Sequence, residues 1–346
     1  MSITVNGSAP AGADSPQPAA RPPAAAGGGG INVPLQLPPR LGGRPITTLS
    51  ASSYELWQNC EEKWRRRYLL GEREPKSPAM FLGIAVDQTL GWLHEQQIAG
   101  ADPEPGDVLK AYGELFEASE TDRRETRWTD DEPESMIRAA GVRCVEIYLE
   151  QMLPLIGRPT ATQREIEVRL HPACEWSIKG FIDLETVRDE PVDVTDKGIV
   201  IPAGAKAPSG QQVIARRPEG EPAINDYKVK TRFISAGEAA GNVQCGIYVL
   251  DRRLRGEPPV PFVFANLVRP GGNRNGFDGR LQLTERTDAQ LRGVMVRFAQ
   301  MANAIVERVE QYGYEQPWKF ADPRQTFPCR KRFCSWAASC PGWSGL

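Results

Sequence analysis

The sequence predicts one α/β domain in which a mixed β-sheet is flanked by helices. Helical hydrophobic patterns fill the chain from about residue 46 to Gly157, and strict polar/apolar alternation begins at Arg164. Strand and helix patterns then alternate as far as Tyr312, which is typical of an α/β domain rather than of an all-α or all-β domain. We expect this domain to span residues 46–346.

Residues 1–45 differ in composition from the rest of the chain. They are dominated by Ala, Pro and Gly, including the run Gly27 to Gly30. Such a segment has too few apolar side chains to offset the conformational entropy that is lost on ordering. We expect a disordered tail that carries no catalytic group.

The helices come first in the domain. Ser50 and Ser52 precede an aromatic-rich amphipathic run that reaches Leu69 and is followed by Gly71, which predicts one capped helix. Further helices are predicted over residues 81–97 and 106–118. A capping box, Thr129-x-x-Glu132, predicts the start of a long helix that ends at Gly157.

The strands follow, with a helix among them and another at the end. Residues 164–170 and 176–187 alternate as strands do, and Glu165 and Glu167 share one face, where each is either solvated or an extra carboxylate for a site. Residues 188–222 are rich in Pro, Gly and charge, which predicts an insertion or a long hairpin. The remaining elements are predicted to be a helix over 238–254, strands over 261–268 and 280–283, and a helix over 288–312.

Composition limits the cellular setting. The 346 residues carry 42 Lys and Arg against 44 Asp and Glu, and this net charge of −2 neither indicates nor excludes nucleic-acid binding. No apolar run approaches the roughly 18 residues of a membrane span, and the N-terminus lacks a signal-peptide pattern. We expect a soluble protein of the bacterial cytoplasm without a membrane partner. Seven cysteines then favour metal-binding, reactive or buried thiols over disulfides.

Two short strings carry the chemistry. Gly180-Phe181-Ile182-Asp183 and Ile224-Asn225-Asp226-Tyr227-Lys228 are both apolar β-type runs that end in an acid. Asp226 and Lys228 share a strand face, and Asp183 would join them if the two strands were neighbours. Two carboxylates suit Mg²⁺ or Mn²⁺, and a nearby lysine can orient water or stabilise phosphate charge. An isolated Asp-x-Lys is more often a charged surface hairpin, so the other motifs decide.

These other motifs occur in a recognisable order. Cys60 lies in an aromatic and basic helix, and Gly83-x-x-x-Asp87 follows; after the two strings, Gln244 and Tyr248 lie four residues apart on a helix. This order resembles the RecB-like branch of the PD-(D/E)XK nuclease superfamily. That branch includes phage exonucleases, AddB-type nucleases and CRISPR-adaptation nucleases. The resemblance covers roughly residues 46–346 and implies a restriction-endonuclease-like core with a helical N-terminal region.

The resemblance also implies roles for individual residues. Four oxygen donors would hold Mg²⁺ or Mn²⁺: Asp87, Asp183, Asp226 and the backbone carbonyl of Tyr227. Asp87 stands where the family usually has histidine, and it is either a ligand or a solvated helix residue. Lys228 would position or activate the attacking water. Gln244 and Tyr248, on one helix face, would touch the phosphate or the lysine.

The C-terminal cysteines form a second constellation. Cys329-x4-Cys334-x5-Cys340 favours soft-metal ligation, and Cys60 is the natural distant fourth ligand. Zinc and unligated thiols remain open, but the resemblance implies a [4Fe–4S] cluster in which Cys60 and residues 329–340 form a staple. Cys144, Cys174 and Cys245 are interpreted as core residues.

Together these features predict a divalent-metal-dependent DNA exonuclease that acts at DNA ends in recombination, repair or replication and is related to phage enzymes. Its partners would be single-stranded or unwinding DNA and a helicase or recombinase. One alternative is an inactive DNA-end-binding or adaptor protein on the same fold. Another is a CRISPR-type nuclease that trims pre-spacers. Basic clusters such as Arg65 to Arg67, and Arg252 with Arg253, are candidates for contacts with backbone phosphates.

Overall fold

The computed structural model describes residues 34–41, 44–172, 174–271 and 275–321, and positions 329, 334–337, 339, 340 and 342. Residues 1–33 lie outside the described residues, so the disordered tail stays a prediction there. The chain already contacts the domain at Gln36, earlier than the expected Ile46. The backbone N–H of Gln36 donates to Asn303 Oδ1 at 3.0 Å, and the Trp176 indole donates to the Gln36 carbonyl at 3.0 Å.

The first helical region is two helices rather than the single helix predicted. α1, Ala51–Asn59, begins with a capping box between Ser50 and Ser53 and ends at Cys60. Cys60 is extended (φ −166°, ψ 112°), and its Sγ accepts the backbone N–H of Lys63 at 3.4 Å. Cys60 is therefore the N-cap of α2, Glu61–Tyr68, and its thiol lies at a helix boundary.

The next helices build one face of the domain. They are α3 Pro78–Ile98, α4 Pro105–Ala118, α5 Glu120–Arg124 and α6 Glu134–Ile147, which continues through a π turn, Tyr148–Met152, into α7 Leu153–Ile156. The long helix begins at Glu134, later than the predicted capping box. Thr129 does accept the Glu132 N–H, but Pro133 then takes the N-cap position with an extended ψ of 160°. Phe81, Phe116 and Ile137 are fully buried between these helices and the sheet.

The central sheet has six described strands in mixed orientation. They are β3 Thr48–Leu49, β4 Arg158–Arg169, β5 Ser177–Val187, β9 Pro222–Lys230, β10 Phe262–Val268 and β11 Asp278–Thr284. The order is β11-β10-β9-β5-β3, and β4 pairs with the other edge of β5. The short strands β1 Arg40–Leu41 and β2 Arg44–Pro45 form a separate pair.

The sheet forks beside β5. β9 pairs with β5 antiparallel only where Leu184 to Val187 face Asn225 to Pro222, and then follows β10 in parallel as far as Lys230. Asp183 and Asp226 are the first residues beyond the paired segment. The two acid-bearing strings are thus neighbours, as expected, but they meet where their strands separate.

The predicted insertion between those strands is itself folded. β6 Val192–Thr195, β7 Val200–Pro202 and β8 Val213–Arg217 form an antiparallel sheet in the order β7-β6-β8. Arg216 pairs with Asp193 at 2.8 Å, and Ile199 forms a β-bridge to Gln282 of β11. The insertion is therefore a small three-stranded sheet that contacts the central sheet at β11.

The second helical face is formed by α8 Ala236–Gly241, α9 Val243–Leu254 and α10 Asp288–Tyr312. The helix predicted over 238–254 is divided at Asn242, whose side chain accepts the Cys245 N–H at 2.8 Å and caps α9. The predicted mixed sheet flanked by helices is confirmed. In the described part of the chain, no helix is both long and apolar enough to cross a membrane.

Aromatic packing joins the start and the end of the domain. The rings of Trp64 and Trp318 stack with centroids 6.0 Å apart, and Trp57 meets both edge-on. The buried Glu62 carboxylate accepts the Trp318 backbone N–H at 2.9 Å and pairs with Arg65 at 2.7 Å. The region of α2 is thus held to the C-terminal segment by contacts that do not involve cysteine.

We expect Gly246→Ala to destabilise the protein by about 1–3 kcal/mol, because α9 packs tightly on α10 at this position. A Cβ on Gly246 would lie 2.6 Å from Val294 Cγ2, and the branched valine has little rotamer freedom in a helix. Gly293→Ala, one residue away on α10, meets nothing within 4 Å and should be neutral or stabilising. Urea denaturation of both variants measures the difference, and equal stability would contradict this packing.

Candidate active site

The candidate site lies in the fork between β5 and β9. Asp226 and Lys228 project from the same face of β9, as side-chain alternation predicts, and Lys228 Nζ lies 2.6 Å from Asp226 Oδ2. Asp226 is fully buried and Lys228 is half-buried. The surface-hairpin interpretation of Asp-x-Lys is therefore wrong for this chain.

Where β5 and β9 separate, the side chain of Asp183 takes the place of a backbone hydrogen-bond acceptor. Its Oδ2 accepts the backbone N–H of Tyr227 at 3.1 Å. A side chain thus satisfies a backbone donor just beyond the last β5–β9 pair. This bond fixes the Asp183 carboxylate beside the Asp226-Tyr227-Lys228 segment.

Asp87 belongs to the same site, although it lies about 100 residues before Asp183 in the chain. It lies on α3, which packs over β9, and its carboxyl interacts electrostatically with Asp226 and Lys228. Its Oδ1 is buried and has no hydrogen-bond partner. Asp87 is therefore not a solvated helix residue.

Burial and neighbouring carboxylates raise the pKa values of Asp183 and Asp87. Burial, followed by Asp226 and then Asp87, raises the pKa of Asp183 to about 8. Burial and then Asp226 raise the pKa of Asp87 to about 6. Burial acts to lower the pKa of Lys228, but Asp226 outweighs it, so the pKa is raised and the ammonium stays charged at neutral pH. The ammonium of Lys228 thus interacts with Asp87, Asp183 and Asp226.

Helix α9 holds the lysine from the other side. Lys228 Nζ donates to Gln244 Oε1 at 3.0 Å, and Gln244 Nε2 donates to the Tyr248 hydroxyl at 2.9 Å. Of the predicted i, i+4 pair, Gln244 thus contacts the lysine and Tyr248 contacts Gln244. A Cβ at Gly180 would lie 3.1 Å from Tyr248 Cε1, so the glycine of the first string leaves room for this tyrosine.

The donor chemistry of the fork fits a hard divalent cation. Both Asp226 oxygens and Asp87 Oδ1 are buried without a hydrogen bond of good geometry, although Asp226 Oδ2 has its ionic contact with Lys228. Buried carboxylate oxygens without hydrogen bonds are costly unless a cation faces them. Within the described residues, no three Asp, Glu, His or Cys side chains converge closely enough to form a ready-made metal cage. In this arrangement Lys228 supplies the neutralising charge.

The ring of Tyr227 contributes to a buried cluster behind the strand, whereas only its backbone was predicted to take part. His94 Nε2 and the Tyr148 hydroxyl lie 2.7 Å apart, and the Tyr227 ring stacks on His94 at 6.4 Å. Burial lowers the pKa of His94 to about 4, so the ring is neutral. Sequence reasoning found no role for His94. Its spacing of seven residues from Asp87, two turns along α3, was the available signal.

A second missed feature fixes α9 on the sheet. Glu185, two residues after Asp183, pairs with Arg164 at 2.7 Å and with Arg252 at 2.9 Å, and Arg164 also pairs with Asp251 at 3.1 Å. The expectation that Arg252 binds DNA phosphate is therefore wrong in this arrangement. Arg65 is likewise buried against Glu62. Glu55 of α1 interacts electrostatically with Lys228 and was also missed.

The cysteines separate into two groups. Cys144 and Cys245 are buried, as predicted, whereas Cys174 is only half-buried in a loop and is not a core residue. Burial, followed by the proximity of Cys60, Cys334 and Cys340, raises the pKa of the Cys329 thiol. The four predicted cluster ligands therefore lie in one region, although the described residues contain no converged metal group.

Part of the chain is similar to a known family of proteins. Residues 48–196 match the family model of the PD-(D/E)XK nuclease superfamily. Over this segment the chain is similar to that superfamily. The match includes Asp87 and Asp183 and ends before β9.

Two further comparisons accompany this nuclease match. A solved structure from Eubacterium rectale, described as a "Putative exonuclease", is similar with a TM-score of 0.45 and 14% identity over 79% of this chain and 84% of that chain. No curated protein matches the chain.

The raised pKa of Asp183 predicts a pH-dependent stability in the absence of metal. The folded protein keeps a proton that the unfolded chain loses near pH 4, so stability falls as pH rises from about 4 to about 8. Asp183→Asn removes this loss and should stabilise the metal-free protein by on the order of 2 kcal/mol at about pH 8.5. Urea unfolding in EDTA from acid to alkaline pH measures it.

Asp193→Asn is the matched control for this experiment. Arg216 and the Gly204 N–H lower the pKa of Asp193 to about 2, so its carboxylate contributes stability that is lost only as pH falls. The control should therefore be destabilised over the same pH range. Destabilisation by Asp183→Asn at alkaline pH would contradict the electrostatic account of the fork.

Proposed function

We propose that the chain is a divalent-metal-dependent DNA exonuclease that hydrolyses phosphodiester bonds at DNA ends. The observation that carries this proposal is the fork, in which Asp87, Asp183 and Asp226 interact with the Lys228 ammonium and in which Asp87 and Asp226 have buried oxygens without hydrogen bonds. The superfamily match supports nuclease chemistry. Mg²⁺ or Mn²⁺ is the cation that such a donor set suits.

The chain's own residues would divide the work. The cation would be held by Asp183, Asp226, Asp87 and the Tyr227 carbonyl. When bound, it would supply positive charge that offsets the negative charge of the attacked phosphate. Lys228 is charged and is held between Asp226 and Gln244. Its raised pKa favours donating hydrogen bonds to the phosphate or the attacking water over accepting a proton. Gln244 and Tyr248 would fix its direction.

The test is product analysis with wild-type protein. Single- and double-stranded DNA, labelled separately at each end, is incubated with Mg²⁺ or Mn²⁺ and with EDTA. Release of mononucleotides or short oligonucleotides from an end, abolished by EDTA, is the expected result. Internal cuts in circular DNA would replace the exonuclease proposal by an endonuclease, and intact DNA under all conditions would overturn it.

An inactive DNA-end-binding or adaptor protein is the second candidate. Two observations favour it: Asp87 stands where the family usually has histidine, and the described residues contain no ready-made metal cage. Metal-independent binding of DNA ends with no cleavage would support it. Pre-spacer trimming, and association with a helicase or recombinase, share the proposed chemistry and differ only in the partner.

We further propose that Cys60, Cys329, Cys334 and Cys340 bind a [4Fe–4S] cluster. Their proximity supports the proposal, and four thiolates are the donor set that such a cluster requires. Its role would be to reinforce the junction between α2 and the C-terminal segment, which aromatic packing already forms.

Cys60→Ser is a sharp test of the cluster because serine is a better N-cap than cysteine. The variant should keep the cap of α2 while removing one thiolate. Anaerobically purified wild-type protein should be brown and contain about four iron and four sulfide per chain. Cys60→Ser should lose the colour, and Cys174→Ser should keep it. A colourless wild-type protein with bound zinc would contradict the cluster.

A further inference from the structure

A cavity of about 630 Å³ opens beside Asp87 and is not used by the chemistry above. α3 forms one wall and the α4–α5 junction another, while Gln163 of β4 closes a third side. The volume falls in the range of roughly 300–1,000 Å³ in which proteins bind small organic groups. The cavity therefore has room for one or two nucleotide units.

The cavity begins at the candidate catalytic centre. Asp87 lines it directly. On the sheet, the pairs Thr162–Leu184 and Arg164–Ile182 bracket Gln163, which places it beside Asp183 on the neighbouring strand. Gln163 has φ +45°, a left-handed conformation that costs a non-glycine residue of order 1 kcal/mol. This strained residue of β4 thus lies beside both the cavity and the fork.

The lining is suited to a flat, uncharged, hydrogen-bonding group. Trp92 offers an indole, and the amides of Gln88 and Gln163 can each donate and accept hydrogen bonds. Among the described residues, no lysine or arginine lines the cavity, whereas Glu95 and Asp122 do, and Lys76 already neutralises Asp122 at 2.8 Å. A phosphate would be repelled here, but a nucleobase would not.

We propose that this cavity holds one unstacked nucleobase of the substrate strand, next to the phosphodiester that is cut. The inference rests on the proposed nuclease function and specifies its substrate as a single-stranded or frayed end. Stacking on Trp92 accepts any base, and amides that both donate and accept do not select one base edge. The site therefore binds bases without strong sequence preference.

Gly91 provides the test. It lines the cavity from α3, and a Cβ placed on it meets nothing within 4 Å, so Gly91→Leu fills the cavity without a clash at the backbone. Gly293→Leu on α10, where a Cβ also meets nothing within 4 Å, is the matched control away from the site. Trp92→Leu removes the stacking surface and serves as a second variant if Gly91→Leu fails to fold.

The probe is fluorescein-labelled oligothymidylate, and its binding is measured by anisotropy in EDTA and in Ca²⁺. Loss of one stacked base costs about 1–3 kcal/mol, so Gly91→Leu should weaken binding about 10-fold while Gly293→Leu binds as wild type. An abasic terminal nucleotide at one end should weaken binding to wild-type protein by a similar factor and have little further effect on Gly91→Leu.

The outcomes separate this inference from the proposed function. Wild-type affinity in Gly91→Leu, no binding by the wild-type protein, or the same abasic penalty in both proteins would overturn the nucleobase cavity. Base-dependent binding that Gly91→Leu removes, in a protein that cleaves no DNA with any divalent cation, would support the cavity and refute the nuclease activity.

Discussion

Asp226→Asn is expected to reduce the rate of DNA hydrolysis by roughly 10³-fold, the largest effect of any single substitution in the fork. The carboxylate is fully buried, and its Oδ2 lies 2.6 Å from Lys228 Nζ. It also raises the pKa values of Asp183 and Asp87, so it lies close to both. Removing its charge would weaken the proposed cation site and leave Lys228 without its nearest carboxylate. A loss of this size corresponds to about 4 kcal/mol of transition-state stabilisation.

The measurement is kcat on end-labelled DNA with Mg²⁺ or Mn²⁺, accompanied by oligonucleotide binding and thermal unfolding. Asp193→Asn is the matched control, since it removes an Asp paired with arginine on β6, outside the fork. The control should retain its kcat. A kcat within about threefold of wild type for Asp226→Asn would remove Asp226 from the site.

Lys228→Gln is expected to reduce kcat by about 10²-fold and to change KM little. The glutamine keeps a hydrogen-bond donor near Gln244 but loses the charge that Asp226 maintains, and this charge acts most strongly on the transition state. Because the lysine acts in its charged form, its removal should leave the acidic limb of the pH–rate profile, in which the rate rises with pH, in place.

Lys179→Gln on β5 is the control for this substitution, since Lys179 pairs only loosely with exposed Glu167 at 3.8 Å. It should leave kcat unchanged. A purely KM effect in Lys228→Gln would show that the lysine binds substrate without acting on the reaction. Loss of the acidic limb, in which the rate rises with pH, would show that it accepts a proton.

Some of the site could be predicted because short-range geometry determines it. Asp226 and Lys228 share a strand face at any position in any sheet, since side chains alternate along a strand. Gln244 and Tyr248 share a helix face for the same kind of reason, and their contact with one another follows. The α10 bounds, 288–312, were predicted because helical periodicity is also local, and in the structure Thr287 caps this helix.

Other features depend on which elements pack together. Cys60 could not be recognised as a helix boundary, because its amphipathic surroundings continue on both sides and only the extended backbone at that residue divides α1 from α2. The partners of Arg65 and Arg252 could not be predicted either. Basic residues are the same in sequence whether they face DNA or a buried carboxylate such as Glu62 or Glu185.

The sequence by itself determined the order of the elements, the mixed α/β fold and the residue types available for chemistry, since hydrophobic period and side-chain alternation are local properties. Only the tertiary structure decided that β9 leaves β5 at Asp183, that α3 carries Asp87 to the same fork, and that Gly91 and Gln163 border one cavity. These depend on contacts between residues far apart in the chain. Such contacts form when the apolar faces of the helices are buried against the sheet, and a local pattern does not specify them.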